Sequence, residues 1–312
     1  MSTEPAPFLE ALARDGARVE AMLERLLADR ALPGEAVRPT RLVAAMRHAT
    51  LGGGKRLRPF LLIEAARLFG RDDEGVLRAA AALEMVHCYS LVHDDLPQMD
   101  DDDLRRGMPT VHRAFDEATA ILAGDALLTL AFDTTADPAT HADASVRIDL
   151  VLRLARASGL GGMVGGQMLD LTAEGRWSVD GRPSVLGDAE IRRLQAMKTG
   201  ALLRFPLEAG AIMAGASPQD VARLGRFGAI VGLAFQIADD LLDVEATPEA
   251  MGKATGKDAA RGKGTLVSLH GVAAMKAELA RSIVAAEAEL SPFGERAARL
   301  VEAARFVAER RN

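Results

Sequence analysis

The chain of 312 residues reads as all-α, and three observations carry that reading. Hydrophobic residues make up 49% of it but aromatic ones only 4%. The apolar part is therefore mostly Ala, Leu, Val and Met, which favour helices over sheets. Apolar residues recur at helical spacing nearly everywhere. No alternating segment of convincing strand length, no low-complexity linker and no fixed-period repeat interrupts them. The expectation is a single all-α domain over residues 1–312, built from roughly ten or more helices of ordinary length.

Taken in order, residues 8–29 place Leu9, Leu12, Val19, Met22, Leu23, Leu26 and Leu27 on one broad face. The stretch from 76 to 95 is apolar almost all round, which marks a buried central helix. Between Glu174 and Asp188 the pattern fails, and Gly175, Gly181, Pro183 and Gly187 mark a loop. Ser217-Pro218-Gln219-Asp220 gives an N-cap with proline at the first helical position, ahead of Val221, Leu224 and Phe227. A second long apolar helix follows from Val221 to Val244, and Thr247-Pro248-Glu249 repeats the cap-proline start after it.

Charge and cysteine content narrow the partners. A net charge of -6 and a pI near 5.6 argue against nucleic acid. The one cysteine, Cys88, excludes an internal disulfide framework and suits a reducing compartment; it is read as a core residue. Met1 to Glu10 lacks the basic and apolar regions of a secretory signal. No apolar run is expected to reach the roughly 20 residues of a membrane span. A soluble, cytoplasmic protein is expected.

Two aspartate clusters carry the chemistry. The first is Leu91-Val92-His93-Asp94-Asp95-Leu96-Pro97-Gln98-Met99-Asp100-Asp101-Asp102-Asp103-Leu104-Arg105-Arg106-Gly107; the second is Gln236-Ile237-Ala238-Asp239-Asp240-Leu241-Leu242-Asp243. Each ends an apolar, helix-like run, where crowded carboxylates repel one another and need a counter-charge. Mg²⁺ held by a few carboxylates completes its octahedron with waters and substrate phosphates. Two such clusters facing each other would clamp a diphosphate. Asp239 and Asp243 are one turn apart on one helix face, and Gln236 shares it. Asp94 and Asp100 would stand about 120° out of register on a straight helix. Pro97 cannot continue an undisturbed helix, so a break at 95–99 is expected to swing Asp100 back toward Asp94.

With these motifs the chain resembles the polyprenyl synthetase (trans-isoprenyl diphosphate synthase) family, most of all its bacterial-type farnesyl diphosphate synthase branch. The likeness runs from Gly52 to about Leu269. Its further motifs are Gly53-Gly54-Lys55-Arg56-Leu57-Arg58-Pro59, Glu84-Met85-Val86-His87-Cys88-Tyr89-Ser90, Gly166-Gln167-Met168-Leu169-Asp170, Lys198-Thr199-Gly200, Gly252-Lys253 and Gly262-Lys263.

The resemblance implies the isoprenoid synthase fold, a large helical bundle around a central cavity, and a homodimer. It implies Mg-dependent head-to-tail condensation of isopentenyl diphosphate with an allylic diphosphate, dimethylallyl or geranyl, by ionisation, condensation and elimination. Asp94 and Asp100 would bind two Mg²⁺ and Asp239 another, about three per active site, with Asp95, Asp240 and Asp243 in support. Arg105, Lys198 and Lys253 would contact the allylic diphosphate, and Lys263 would close over it. Lys55, Arg58, His87 and Arg106 would hold isopentenyl diphosphate. Lys198, Thr199 and Gln236 would sit near the allylic cation. Tyr89 and Ser90 form the chain-length region; Tyr89, five residues and about 7.5 Å before Asp94, would be a floor stopping the product at C15.

Other readings stand beside this one. C20 or C10 products are alternatives, and so is a non-catalytic partner subunit, though such chains lose a motif that is intact here. His87, His93 and His48 could instead serve an HD-type phosphohydrolase. A class I terpene cyclase would replace the second aspartate motif. After Lys263 the chain reads Gly264-Thr265-Leu266-Val267-Ser268 where many family members have Thr-Tyr-Pro, a departure that bears on closure of the C-terminal flap.

Overall fold

The computed structural model describes residues 7–245 and 264–309. The chain divides into two compact units, Met1–Leu152 and Arg153–Asn312.

The first unit contains α1 (Pro7–Leu26), α2 (Thr40–Leu51), α3 (Leu57–Leu68), α4 (Glu74–Asp94), the one-turn α5 (Val111–Ala114), α6 (Glu117–Ala136) and the start of α7 (Ala144–Ser158). Its axis is α4. Asp73 caps that helix by accepting from the Val76 amide at 3.0 Å, and Ala79 to Val86 are all buried. It packs most extensively on α6 and also touches α1, α2 and α3. The expectation that no run reaches membrane length needs correction: α4 is long and apolar enough by length and composition. However, 72% of its apolar window is buried inside the protein, and its Glu84 is ion-paired with Arg56 at 2.6 Å, which marks the central helix of a core.

α1 ends at Leu26, three residues short of the expected end, where the chain turns toward Pro33-Gly34. Its buried Asp15 is gripped by Arg67 of α3 at 2.5 Å. Burial alone would raise the Asp15 carboxyl, but Arg67 and Arg18 outweigh it and hold it below the usual range. The strands among the described residues are one antiparallel pair, β1 (Leu104–Arg105) and β2 (Met108–Pro109). Their two-residue turn, Arg106-Gly107, has positive φ at both positions (53° and 78°), as a type I′ hairpin turn requires.

The second unit contains the end of α7, α8 (Met163–Ala173), α9 (Asp188–Gln195), a π-helical turn (Ala196–Gly200), α10 (Ala201–Met213), α11 (Pro218–Glu245), α12 (Leu266–His270), α13 (Val272–Leu290), a 3₁₀ segment (Ser291–Ala297) and α14 (Ala298–Glu309). Here α11 is the axis, packed on α10 and α13. It starts as expected, with the Asp220 amide donating to Ser217 Oγ at 3.1 Å and Pro218 in the first helical position. No helix forms between Ala173 and Asp188, also as expected, and Trp177 is exposed there. The cap-proline sequence at Thr247-Pro248-Glu249 lies outside the described residues.

Candidate active site

In the first unit the aspartate motif folds back on itself. α4 ends at Asp94, and the chain then makes a turn over Leu96-Pro97-Gln98-Met99, closed by the Met99 amide on the Leu96 carbonyl at 2.8 Å. Pro97 occupies the second position of that turn, where its fixed φ is favourable. The outcome is a 2.8 Å hydrogen bond from the Asp100 amide to the Asp94 carbonyl, so the two residues are neighbours despite their spacing. Asp95 goes elsewhere. It is buried, and Arg105 reaches it from β1 at 2.5 Å (Nη2) and 2.7 Å (Nε). Burial raises the Asp95 carboxyl above its usual range against the pull of Arg105. Arg105 also lies 3.5 Å from Asp102, so the hairpin and the aspartate turn are tied together by charge.

The basic residues form a second group on the same unit. His87, one turn below Leu91 on α4, stands 3.4 Å from Arg58 of α3. Arginine can only donate, so the facing Nε2 of His87 is the acceptor and the ring is neutral. Burial first, then Arg58, Arg106, Arg105 and Arg56, hold the His87 pKa well below its ordinary value. Arg106 hydrogen-bonds the Gly53 carbonyl from the hairpin turn. A Cβ on Gly54 would lie 2.5 Å from the Arg106 guanidinium, so Gly54 is what admits that side chain. Lys55 follows on the same loop, exposed. Beneath it the buried Arg56 donates to Glu84 and to the Thr50 carbonyl at 2.5 Å, anchoring the loop from inside.

In the second unit the site residues surround a helix defect. Lys198 and Thr199 lie in the π-helical turn between α9 and α10, a distortion that often accompanies function. Lys198 Nζ bonds Asp170 of α8 at 2.5 Å. Two glycines allow the close packing: a Cβ on Gly166 would fall 2.2 Å from the Lys198 amide, and one on Gly232 would fall 2.9 Å from Gly200. On α11, Asp239 and Asp243 are half-buried one turn apart, and Gln236 is half-buried one turn earlier. Asp240 points inward and accepts from Gln195 Nε2 at 3.1 Å. Lys253 and Lys263 lie outside the described residues.

Two residues singled out here were missed in the sequence as site members. Asp170 holds Lys198. Gln167, on the same α8 face, has an amide whose nitrogen and oxygen both find no partner among the described residues. The i, i+3 spacing of Gln167 and Asp170 could have flagged them. Of the three histidines that could have supported an HD-type metal set, two are committed to carbonyl oxygens, His48 Nε2 to Pro109 at 2.8 Å and His93 Nε2 to Ile121 at 3.1 Å, and His87 faces Arg58. Cys88 is buried, and burial with the Glu84 carboxylate pushes its thiol up to about 12, far from a reactive state. Tyr89 is buried below the first motif; burial and Asp94 push its hydroxyl up to about 12.

A profile described as polyprenyl synthetase matches residues 39–292. The chain belongs to the polyprenyl synthetase family. It is 44% identical over 253 residues to a farnesyl diphosphate synthase of Geobacillus stearothermophilus, covering 81% of this chain and 82% of the relative. It is 41% identical over 281 residues to chloroplastic geranylgeranyl pyrophosphate synthase 9 of Arabidopsis thaliana, covering 88% and 76%. The apo crystal structure of an FPP/GFPP synthase from Zymomonas mobilis superposes with a TM-score of 0.82 at 42% identity, covering 96% of this chain and 98% of that one. The fold is thus the all-α isoprenoid synthase fold.

The family implies a divalent metal, usually Mg²⁺, and the donors here suit it. Carboxylate oxygens are the groups hard cations prefer, and Mg²⁺ needs only one or two of them beside waters and phosphate oxygens. Among the described residues no cluster of three or more His, Cys, Asp or Glu forms a closed metal cage. The half-buried carboxylates of Asp94, Asp100, Asp239 and Asp243 suit a hard cation that keeps waters and phosphate oxygens among its ligands.

Proposed function

We propose that this polyprenyl synthetase is a prenyltransferase that joins isopentenyl diphosphate head to tail to an allylic diphosphate, dimethylallyl or geranyl, with C15 farnesyl diphosphate as its main product. The observation that carries the reading is the first motif: Asp94 and Asp100 are brought together at one end of α4, the basic group Arg58, His87 and Arg106 stands beside it, and Tyr89 is buried below. The farnesyl diphosphate synthase similarity supports it.

In this reading Arg58, His87, Arg106 and Lys55 bind the isopentenyl diphosphate. Arginine forks match its oxygens, and the neutral His87 adds a hydrogen bond without adding charge. Asp94, Asp100 and Asp239 are the candidate Mg²⁺ ligands, with Asp243 in support. When bound, Mg²⁺ supplies Lewis-acid stabilisation of the departing diphosphate. Asp95 acts through Arg105, holding its guanidinium toward the allylic diphosphate, and Asp240 acts through Gln195. The allylic C–O bond breaks, and the leaving diphosphate keeps the electron pair. The isopentenyl double bond then attacks the cation to form the new C–C bond, and a proton passes to the released diphosphate. Asp170 orients Lys198, whose ammonium faces the departing diphosphate, while the oxygens of Thr199 and Gln236 lie near the cation and limit its movement. The apolar lining keeps water away from it. Residues 1–312 act as one catalytic domain. The exposed Ile121 and Leu122 of α6 and Ile148 and Leu152 of α7 support a second copy as partner, and the buried, reduced Cys88 suits a cytoplasmic setting.

Incubation with labelled isopentenyl diphosphate, an allylic primer and Mg²⁺, followed by chain-length analysis, is expected to give C15 product. No prenyl product under those conditions would overturn the proposal.

A further inference from the structure

Tyr89 does not stand alone. One turn on, His93 presents its ring at 80° to the tyrosine ring, with 5.8 Å between centroids. The His93 ring is itself wedged. Its Nε2 lies 3.1 Å from the Ile121 carbonyl of α6, and because a carbonyl only accepts, Nε2 carries the proton and donates. Three residues along α6 is Gly124, buried, with ordinary helical backbone. A Cβ there would stand 2.1 Å from His93 Nε2, 2.5 Å from Cδ2 and 2.8 Å from Cε1. The imidazole therefore fills the space that Gly124 leaves open. A glycine inside a helix costs conformational entropy, and here that cost coincides with the seat of one ring.

We propose that Gly124 and His93 are positioning residues for product length. Gly124 gives the His93 ring a single seat against α6, the Ile121 carbonyl fixes its orientation, and the seated ring backs the Tyr89 ring edge to face. A tyrosine held this way stops elongation at one length; a loosened one lets longer chains pass. Neither positioning residue touches substrate. The inference rests on Tyr89 being the floor of the product cavity.

The test compares product distributions of the full-length protein with labelled isopentenyl diphosphate, geranyl diphosphate and Mg²⁺. Tyr89→Ala is expected to raise the share of C20 and longer products about tenfold, the size of discrimination one bulky group in an apolar pocket supplies. Gly124→Ala, which must expel the His93 ring, is expected to raise it about threefold, and to add nothing in the Tyr89→Ala background. His93→Ala empties the seat instead of crowding it, so it reports even where Gly124→Ala does not fold; it too is expected to lengthen the product. In the His93→Ala background Gly124→Ala no longer meets a ring and leaves the distribution where His93→Ala put it. If Tyr89→Ala lengthens the product while His93→Ala and any folded Gly124→Ala keep the wild-type distribution, the positioning role is wrong and the floor stands. If Tyr89→Ala itself changes nothing, the floor reading fails and this inference with it.

Discussion

The two aspartate motifs are chemically alike and structurally opposite. The first is built on a broken helix: α4 stops at Asp94, a proline turn intervenes, and the backbone itself ties Asp100 to Asp94. The second is built on an unbroken one, where 3.6-residue periodicity alone stacks Asp239 over Asp243. Each motif turns one aspartate inward to a protein partner, Asp95 to Arg105 and Asp240 to Gln195. Asp94, Asp100, Asp239 and Asp243 are half-buried. The lesson is that a broken helix can converge residues of any spacing, at the cost of a turn that must itself be held. An intact helix converges only residues one turn apart, and needs nothing more.

The largest effects should come from the carboxylates common to both designs. Asp94→Ala and Asp239→Ala are each expected to lower kcat about 10³-fold, as removal of a main electrostatic stabiliser does. Steady-state kinetics at saturating Mg²⁺ checks this, and near-normal turnover in Asp239→Ala would remove the second motif from the account. Next comes Asp170→Asn, which leaves Lys198 without its charged partner. A charge-assisted hydrogen bond of this kind is worth about 1.5–3 kcal/mol, so kcat should fall about tenfold or more with little change in the KM for isopentenyl diphosphate. A loss confined to that KM would place Lys198 on the wrong substrate.

A smaller effect distinguishes the first unit by pH. His87 has a folded-state pKa held well below its ordinary value by burial and four arginines, so the unfolded chain binds its proton first as pH falls. Stability therefore declines from about pH 6.5 downward, until the folded-state pKa is reached. Urea midpoints from pH 7.5 to 5.5 should fall less steeply in His87→Gln than in wild type, and identical slopes would sink the assignment. The smallest effect is expected of Pro97→Ala. The turn is also closed by backbone bonds and by the Asp95–Arg105 pair, so losing the proline costs only about 0.4–1 kcal/mol, through the unfolded state. A much larger loss in thermal unfolding would mean that the proline alone holds the first motif.

Much of this was legible in the sequence. The two axial helices, the Ser217-Pro218 cap and the break at Pro97 follow from local chemistry, and local chemistry decided them. The π-helical turn was not legible, because one inserted residue shifts a helical pattern too little to see in five residues, and it is close packing of Gly166 and Gly232 that makes room for it. Nor was the hairpin, whose turn sets an arginine at positive φ, a conformation that side chain does not advertise. The ion pair that Asp95 makes was not legible either, because spacing cannot tell which way a residue at a helix end points. Its pairing with Arg105 depends on a hairpin ten residues away. At the C-terminal flap, Thr265 and Ser268 form a reciprocal cap on α12 (Ser268 amide to Thr265 Oγ1, 3.1 Å), which gives the departure from Thr-Tyr-Pro a local role.

The proposal most in need of a test is that both motifs act on the same Mg²⁺-dependent diphosphate. Calorimetric titration of a non-reactive allylic diphosphate analogue, with and without Mg²⁺, tests it most directly in wild type, Asp94→Ala, Asp239→Ala and the double variant. The account predicts that either single change removes most of the Mg²⁺-dependent affinity and that the double change removes little more. Losses that simply add, or an Asp239→Ala protein that binds like wild type, would contradict it.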